Sequence, residues 1–202
     1  AILRAPEEFR SDVEIVLAAV TQDGWALEYA AHHLRADREI VLAAVKENGH
    51  ALQYAALELQ NDPTIVMEAV STSGHEALQH ASLELRSNLE IVSAAVTQNG
   101  SALQFAAPGL RGHHDMVLKA VSQDGHALQH ATDECRDCFD VVLPAVVQSG
   151  DALQYASAQL RNNPEVVLAA VTQNGHALKF ASARCRGLRN IALVAVATSS
   201  YI

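Results

Sequence analysis

Three sets of residues have types and spacing that could carry chemistry. Cys135-Arg-Asp-Cys138 has the C-x-x-C spacing of a metal or thiol pair. Four of the ten histidines, His50, His75, His126 and His176, directly follow a glycine. Eleven arginines stand against three lysines, and seven of them (Arg10, Arg35, Arg86, Arg111, Arg136, Arg161, Arg186) recur at one register, broken only by Gln60. Each set has a plainer explanation. A zinc site needs about four ligands, and no second cysteine pair exists. Cys135 and Cys185 instead occupy a column otherwise filled by Leu34, Leu59, Leu85, Leu110 and Leu160, which makes them core residues. They lie two repeats apart, roughly 20 Å at about 10 Å per repeat, beyond disulfide reach, and a reducing compartment follows. No catalytic residue, metal ligand or cofactor site is assigned. Even His50 and His75 are about one repeat apart, too far to share an ion, and no Ser-His-Asp or phosphate-loop pattern is present.

What positions all of these residues is a repeat. Gly24, Gly49, Gly74, Gly100, Gly125, Gly150 and Gly175 recur every 25 residues with one slip, explained by an insertion near Glu76. A period of this size means stacked supersecondary units sharing one continuous core. Within a copy, apolar residues at 15, 16, 19, 20 and again at 26, 27, 30, 31, 34 mark helical faces, so each repeat is expected to be two short helices. The first opens after Asp12, Asp37, Asp62, Asn88 or Asn163 as N-cap, with Pro63 and Pro164 one position later. The seven glycines are read as helix stops in the left-handed conformation. Pro144 lies inside a first helix and should kink or shorten it. The fold expected is all-α, an α-solenoid of about seven two-helix repeats with half-repeats at both ends. It forms a single domain over residues 1–202, with Leu52 and Leu128 in the core.

Two columns could form a working surface. In the arginine column (Arg35, Arg86, Arg111, Arg136, Arg161) the guanidinium binds carbonyls at the end of the second helix or a carboxylate of the Glu14, Glu39, Glu90, Glu165 column; the alternative is a ladder of anion sites. Gln53, Gln79, Gln104, Gln129 and Gln154 hold another column in five consecutive repeats, beside the variable post-glycine residues His50, His75 and His126. A constant amide next to varied neighbours suits an extended peptide, whose backbone pairs with the amides while the varied positions read side chains. The other reading is that the glutamines bond each other and water. His80 and His130 replace the Tyr29, Tyr54, Phe105, Tyr155 and Phe180 of other copies.

Half of the residues are apolar and the net charge is −9, which argues against nucleic acid because no basic face is available. No apolar run approaches the roughly 20 residues of a membrane span. Residues 1–10 align with 51–60, so the chain begins inside a second helix, and it stops after a first helix at 188–197. The apolar ends are expected to be covered by a partner or by further repeats.

The phrase Glu-Ile-Val-Leu-Ala-Ala-Val-(x)-Gln-(Asn/Asp)-Gly-(x)-Ala-Leu-Gln-Tyr-Ala-(x3)-Leu-Arg, present in whole or part across essentially the whole chain, resembles the tandem repeats of the domain of unknown function 4116. The resemblance implies an algal, protist or intracellular bacterial setting and supplies no site residues. Three functions stand. The leading one is a noncatalytic scaffold or protein-binding solenoid, serving as a peripheral subunit of a large complex. The second is a pigment- or ligand-associated subunit of a plastid membrane complex, and the third and least supported is an enzyme. The expected location is intracellular and reducing, in cytoplasm or plastid.

Overall fold

The structure, a computed structural model, describes residues 6–199. Among them are eight long α-helices and no strand: α1 (Val13–Gln22), α2 (Arg38–Glu47), α3 (Pro63–Ser73), α4 (Leu89–Gln98), α5 (His114–Gln123), α6 (Phe139–Gln148), α7 (Pro164–Gln173) and α8 (Arg189–Ser199). Their starts follow from capping chemistry. The Asp12 carboxylate accepts from the Ile15 N–H at 3.0 Å, and Asp37, Asp62, Asn88 and Asn163 accept from the N–H groups two and three residues on. Pro63 and Pro164 open α3 and α7, where a missing N–H costs nothing.

The chain groups into two compact units, Ala1–Gln98 with Phe105–Ala107, and Asn99–Gln104 with Pro108–Ile202. Consecutive long helices pack on one another within each: α1 to α4 in the first, α5 to α8 in the second. This is an all-α repeat solenoid. The alanine columns form the close contacts, with Ala44, Ala69, Ala120, Ala145 and Ala170 fully buried, as are Leu52 and Leu128. Cys135 and Cys185 are buried in the leucine column, and all three cysteines are free.

The second half of each repeat differs from the expected helix. Between α1 and α2 the chain forms a 3-10 helix, Gly24–Tyr29, then turns through Ala30 in an extended conformation before a single turn, Leu34–Ala36. The same three-part course recurs at Gly49–Tyr54 with Leu57–Gln60, Gly125–His130 with Asp133–Arg136, Gly150–Tyr155 with Leu160–Asn162, and Gly175–Phe180 with Ala183–Arg186. The break has a hydrogen-bond reason. It frees the next N–H to reach the preceding repeat: Ala31, Ala56, Ser82, Ala107, Thr132, Ser157 and Ser182 donate to the carbonyls of Arg10, Arg35, Gln60, Arg86, Arg111, Arg136 and Arg161 at 2.8–3.1 Å. A continuous helix would have kept those donors for itself.

The glycines are not helix stops at six of the seven positions. Gly24, Gly49, Gly100, Gly125, Gly150 and Gly175 have no positive φ and open the following 3-10 helix; Gly74 alone among the described residues is left-handed, with φ 57°. What ends the long helix is the residue before the glycine. Asp23 and its equivalents turn extended, and Asp23, Asn48, Asn99, Asp124 and Asn174 accept from the N–H two residues on at 2.9–3.0 Å. Glycine is needed for room. A Cβ on Gly24 would sit 2.6 Å from the Ala44 carbonyl oxygen of the next helix, and the other five meet the matching carbonyl of Ala69, Ala120, Ala145, Ala170 or Ala195. At Gly74 the inserted Glu76 lengthens α3 by a residue and turns the following segment, His75–Leu78, into α-helix.

Pro144 does not shorten its helix: α6 has ten residues, as α2 and α7 do. Burial of Val141, Val142, Ala145 and Val146 outweighs the lost hydrogen bond. Of the expected apolar ends, residues 1–5 lie outside the described residues; Glu7–Arg10 forms the one-turn element matching Leu57–Gln60. Val13, Ile15, Leu193 and Val196 are exposed, although the Val45 and Val171 that match Val196 are fully buried.

Candidate protein-binding surface

The segments that follow the glycines, 3-10 helices apart from the α-helix His75–Leu78, present two columns outward. Gln79, Gln104, Gln129 and Gln154 are exposed and Gln53 is half-buried. Their amides make only local bonds: Gln53 donates to the His50 carbonyl at 3.2 Å, Gln154 to the Asp151 carbonyl at 3.1 Å, and Gln79 meets the His80 ring nitrogen at 2.9 Å. No glutamine of this column bonds another among the described residues, so the amide-to-amide ladder is not formed.

Beside them runs a row of rings and charges. In the first unit Trp25, 41 % exposed, stacks on His50 at 5.8 Å and meets Tyr54 edge-on at 5.9 Å. His50 Nε2 pairs with the Glu76 carboxylate at 2.6 Å, His75 Nε2 lies 4.0 Å from its other oxygen, and the His75 ring stacks on Phe105. Partial burial pushes the His80 imidazole below its ordinary value, with the nearby His50 adding to the effect. In the second unit the row is more polar: Ser101 Oγ donates to Asp124 at 2.8 Å, His126 Nδ1 is 3.4 Å from Asp124 and its ring meets Tyr155 edge-on. Burial also lowers His130, assisted by Arg111. Among the described residues no three His, Cys, Asp or Glu side chains are grouped closely enough to hold a metal ion. The Cys135 thiol is pushed up by burial and donates to the Gly112 carbonyl at 3.5 Å, the opposite of a reactive thiolate.

The arginine column lies across a groove from the rings. In the second unit a groove of about 740 Å³ is lined by Arg136, Gln154, Tyr155, Ser157 and Arg161; in the first, one of about 310 Å³ is lined by His32, Arg35, Tyr54, Leu57 and Glu58. Gln60 shows how such a residue is used where arginine is missing. Its amide donates to the carbonyls of Leu52, Gln53 and Ala55, at the end of the preceding 3-10 helix. The Nε of Arg10, Arg35, Arg86, Arg111, Arg136 and Arg161 is shielded without a hydrogen-bond partner among the described residues. The expected pairing with the Glu14, Glu39, Glu90, Glu165 column does not occur there; Arg136 pairs instead with Asp133 of its own turn at 2.7 Å.

This two-column presentation repeats with the sequence, and so does the family model. The model of the domain of unknown function DUF4116 matches five times in tandem, over residues 1–35, 37–76, 73–111, 113–159 and 138–186. The chain belongs to the DUF4116 family. No curated protein and no solved structure matches it. Sequence reasoning missed one set of residues in these DUF4116 repeats, the glutamine two positions before the glycine. Gln123, Gln148 and Gln173 accept, through Oε1, from the N–H of Gly100, Gly125 and Gly150 in the preceding repeat at 2.5–2.6 Å, and Gln98 donates to the Val70 carbonyl at 3.0 Å. The signal was in the sequence, since Gln recurs there as regularly as in the exposed column. Polarity at the end of a helix, however, reads as solvation. Among the described residues no helix is long and apolar enough to cross a membrane.

Proposed function

We propose that this chain is a noncatalytic DUF4116 solenoid that binds other proteins, taking an extended peptide segment along the 3-10 helices within one unit. One observation carries the reading: the glutamine at a fixed place in successive repeats is turned to the surface with bonds only to its own repeat or none, while the glutamine that joins repeats is a different one. The exposed amides are therefore not needed for stacking. Their neighbours Trp25, His50, His75, Ser101, His126 and Asp151 differ in ring, charge and size, as side-chain readers would. A net charge of −9 favours a protein partner over nucleic acid, and three free cysteines suit a reducing intracellular setting.

The test begins with gentle native isolation and mass spectrometry of what co-purifies in stoichiometric amount. Affinity of that partner's recombinant segment is then measured for the wild type and for the combined Gln104→Ala, Gln129→Ala, Gln154→Ala variant, all three in the second unit. Loss of roughly tenfold or more, about 1.4 kcal/mol, is expected with the melting temperature unchanged. Equal affinity removes the 3-10 row from recognition.

A further inference from the structure

On the opposite half of the repeat, the long helices of the second unit carry a departure from the pattern. Position 147 is occupied by Thr21, Lys46, Ser71, Thr97, Ser122 and Thr172 in six other copies and by Ala197 in the last; here it is Val147, 59 % exposed. Three residues earlier, Pro144 stands where the other copies have Ala18, Ala43, Glu68, Ala94, Lys119, Ala169 and Val194. An interior proline is unfavourable, because its nitrogen carries no hydrogen to give the carbonyl four residues earlier. Leu143, Pro144 and Val147 share one face at i, i+1 and i+4. Two unfavourable choices on the same face of the same helix are hard to explain by stacking, which uses Val141, Val142, Ala145 and Val146.

That face opens on a groove of about 500 Å³ between α6 and α7, lined by Leu143, Val147, Glu165, Leu168, Ala169 and Thr172. The matching positions between α2 and α3 hold Leu42, Lys46, Thr64, Met67, Glu68 and Ser71, a far more polar set. The charges choose the occupant. α6 and α7 together contain Asp140 and Glu165, both in the first turn, and no lysine, arginine or histidine. The far end is closed by neutral Thr172 and Gln173. A second copy of a chain with net charge −9 would bring further acid to that end.

We propose that the α6–α7 groove docks an amphipathic helix of another protein, apolar along one face and basic at the end that meets the Asp140 and Glu165 carboxylates. Two parallel helices with small residues between them form the trough that a third helix fills, with anchors at i, i+3 or i+4, and i+7. The site is separate from the 3-10 row and does not depend on it.

The probe is a fluorescein-labelled helical peptide of about 16 residues, with leucines at i, i+3, i+4 and i+7 and lysines at one end, titrated with the intact chain. Two control peptides carry glutamates for the lysines or a scrambled order. The lysine peptide is expected to bind roughly tenfold tighter than either control. Val147→Ser, a residue that this column already accepts at Ser71 and Ser122, should weaken it at least fivefold while circular dichroism and melting stay those of the wild type. Glu165→Gln should reduce the preference for lysine over glutamate. The Gln104, Gln129, Gln154 variant should bind the peptide normally. Equal binding of the controls, or a Val147→Ser affinity within twofold of wild type, overturns the proposal. So does a dimer in sedimentation velocity that Val147→Ser abolishes, because the occupant would then be a second copy.

Discussion

At the scale of single residues, His80 and His130 show what partial burial does to a titratable group. Both take the place of a Tyr or Phe, both are about half-shielded, and desolvation holds both imidazoles below their ordinary value of about 6.5. The sign follows from proton counting. Below about pH 6.5 the unfolded chain binds protons that the folded chain resists, so stability present above that pH is lost as the pH falls through the depressed folded values. The denaturation midpoint should decline on acidification from pH 7 to pH 5. His80→Tyr with His130→Tyr, residues found in this column at Tyr54 and Tyr155, should flatten the decline. A double variant whose pH profile parallels the wild type would assign the acid sensitivity elsewhere. Both were separable in sequence from the post-glycine histidines, but the direction of their shift was not. Their column is identifiable only because aromatic residues occupy it in other copies.

At the scale of elements, the junction between a long helix and the following 3-10 helix is set by contact with the next repeat. Gly125 illustrates it: a Cβ there would meet the Ala145 carbonyl, the Gln148 amide oxygen and Ser149 at once, and the carbonyl belongs to helix backbone that cannot swing aside. Gly125→Ala should cost about 1–3 kcal/mol or more, since overpacking also strains the bond from the Gly125 N–H to Gln148. Gly109 is the control. It lies in the one-turn helix Pro108–Arg111 with no atom near its absent Cβ, so Gly109→Ala should leave stability unchanged or raise it by about 0.5–1 kcal/mol. Equal effects in chemical denaturation would mean that the glycine column serves chain flexibility and not seating. The long helices and their caps were legible because period and capping chemistry are local. The 3-10 helices were not, because Ala30 turns extended in order to give the Ala31 N–H to Arg10, a contact between repeats that apolar spacing does not encode. For the same reason Gly24 looked like a helix stop: a glycine required by a neighbour's carbonyl and one required by its own φ are identical in sequence.

Above single elements, repeats within the second unit meet through the same few devices: an alanine column, a glutamine to the N–H of Gly100, Gly125 or Gly150, and a backbone bond to the carbonyl of Arg111, Arg136 or Arg161. Of the two proposed binding surfaces, the exposed glutamine column was legible because its neighbours vary. The α6–α7 groove was not, because Pro144 read as a defect of one helix until Val147 was seen on the same face. Stability built from such local interfaces is approximately a sum of neighbour terms, so damage should stay near its source. Leu52 and Leu128 test this in the two units, since both are fully buried and each lies in the same 3-10 position of its repeat. Truncation of either to Ala should cost roughly 2–5 kcal/mol, by lost transfer energy and the cavity left behind. Hydrogen exchange should then speed first in the amides of the repeat carrying the substitution and in those packed directly on it. Leu52→Ala should leave α7 protected, and Leu128→Ala should leave α2 protected. Uniform acceleration along the whole chain in either variant would show one all-or-none folding unit and contradict the neighbour-by-neighbour account.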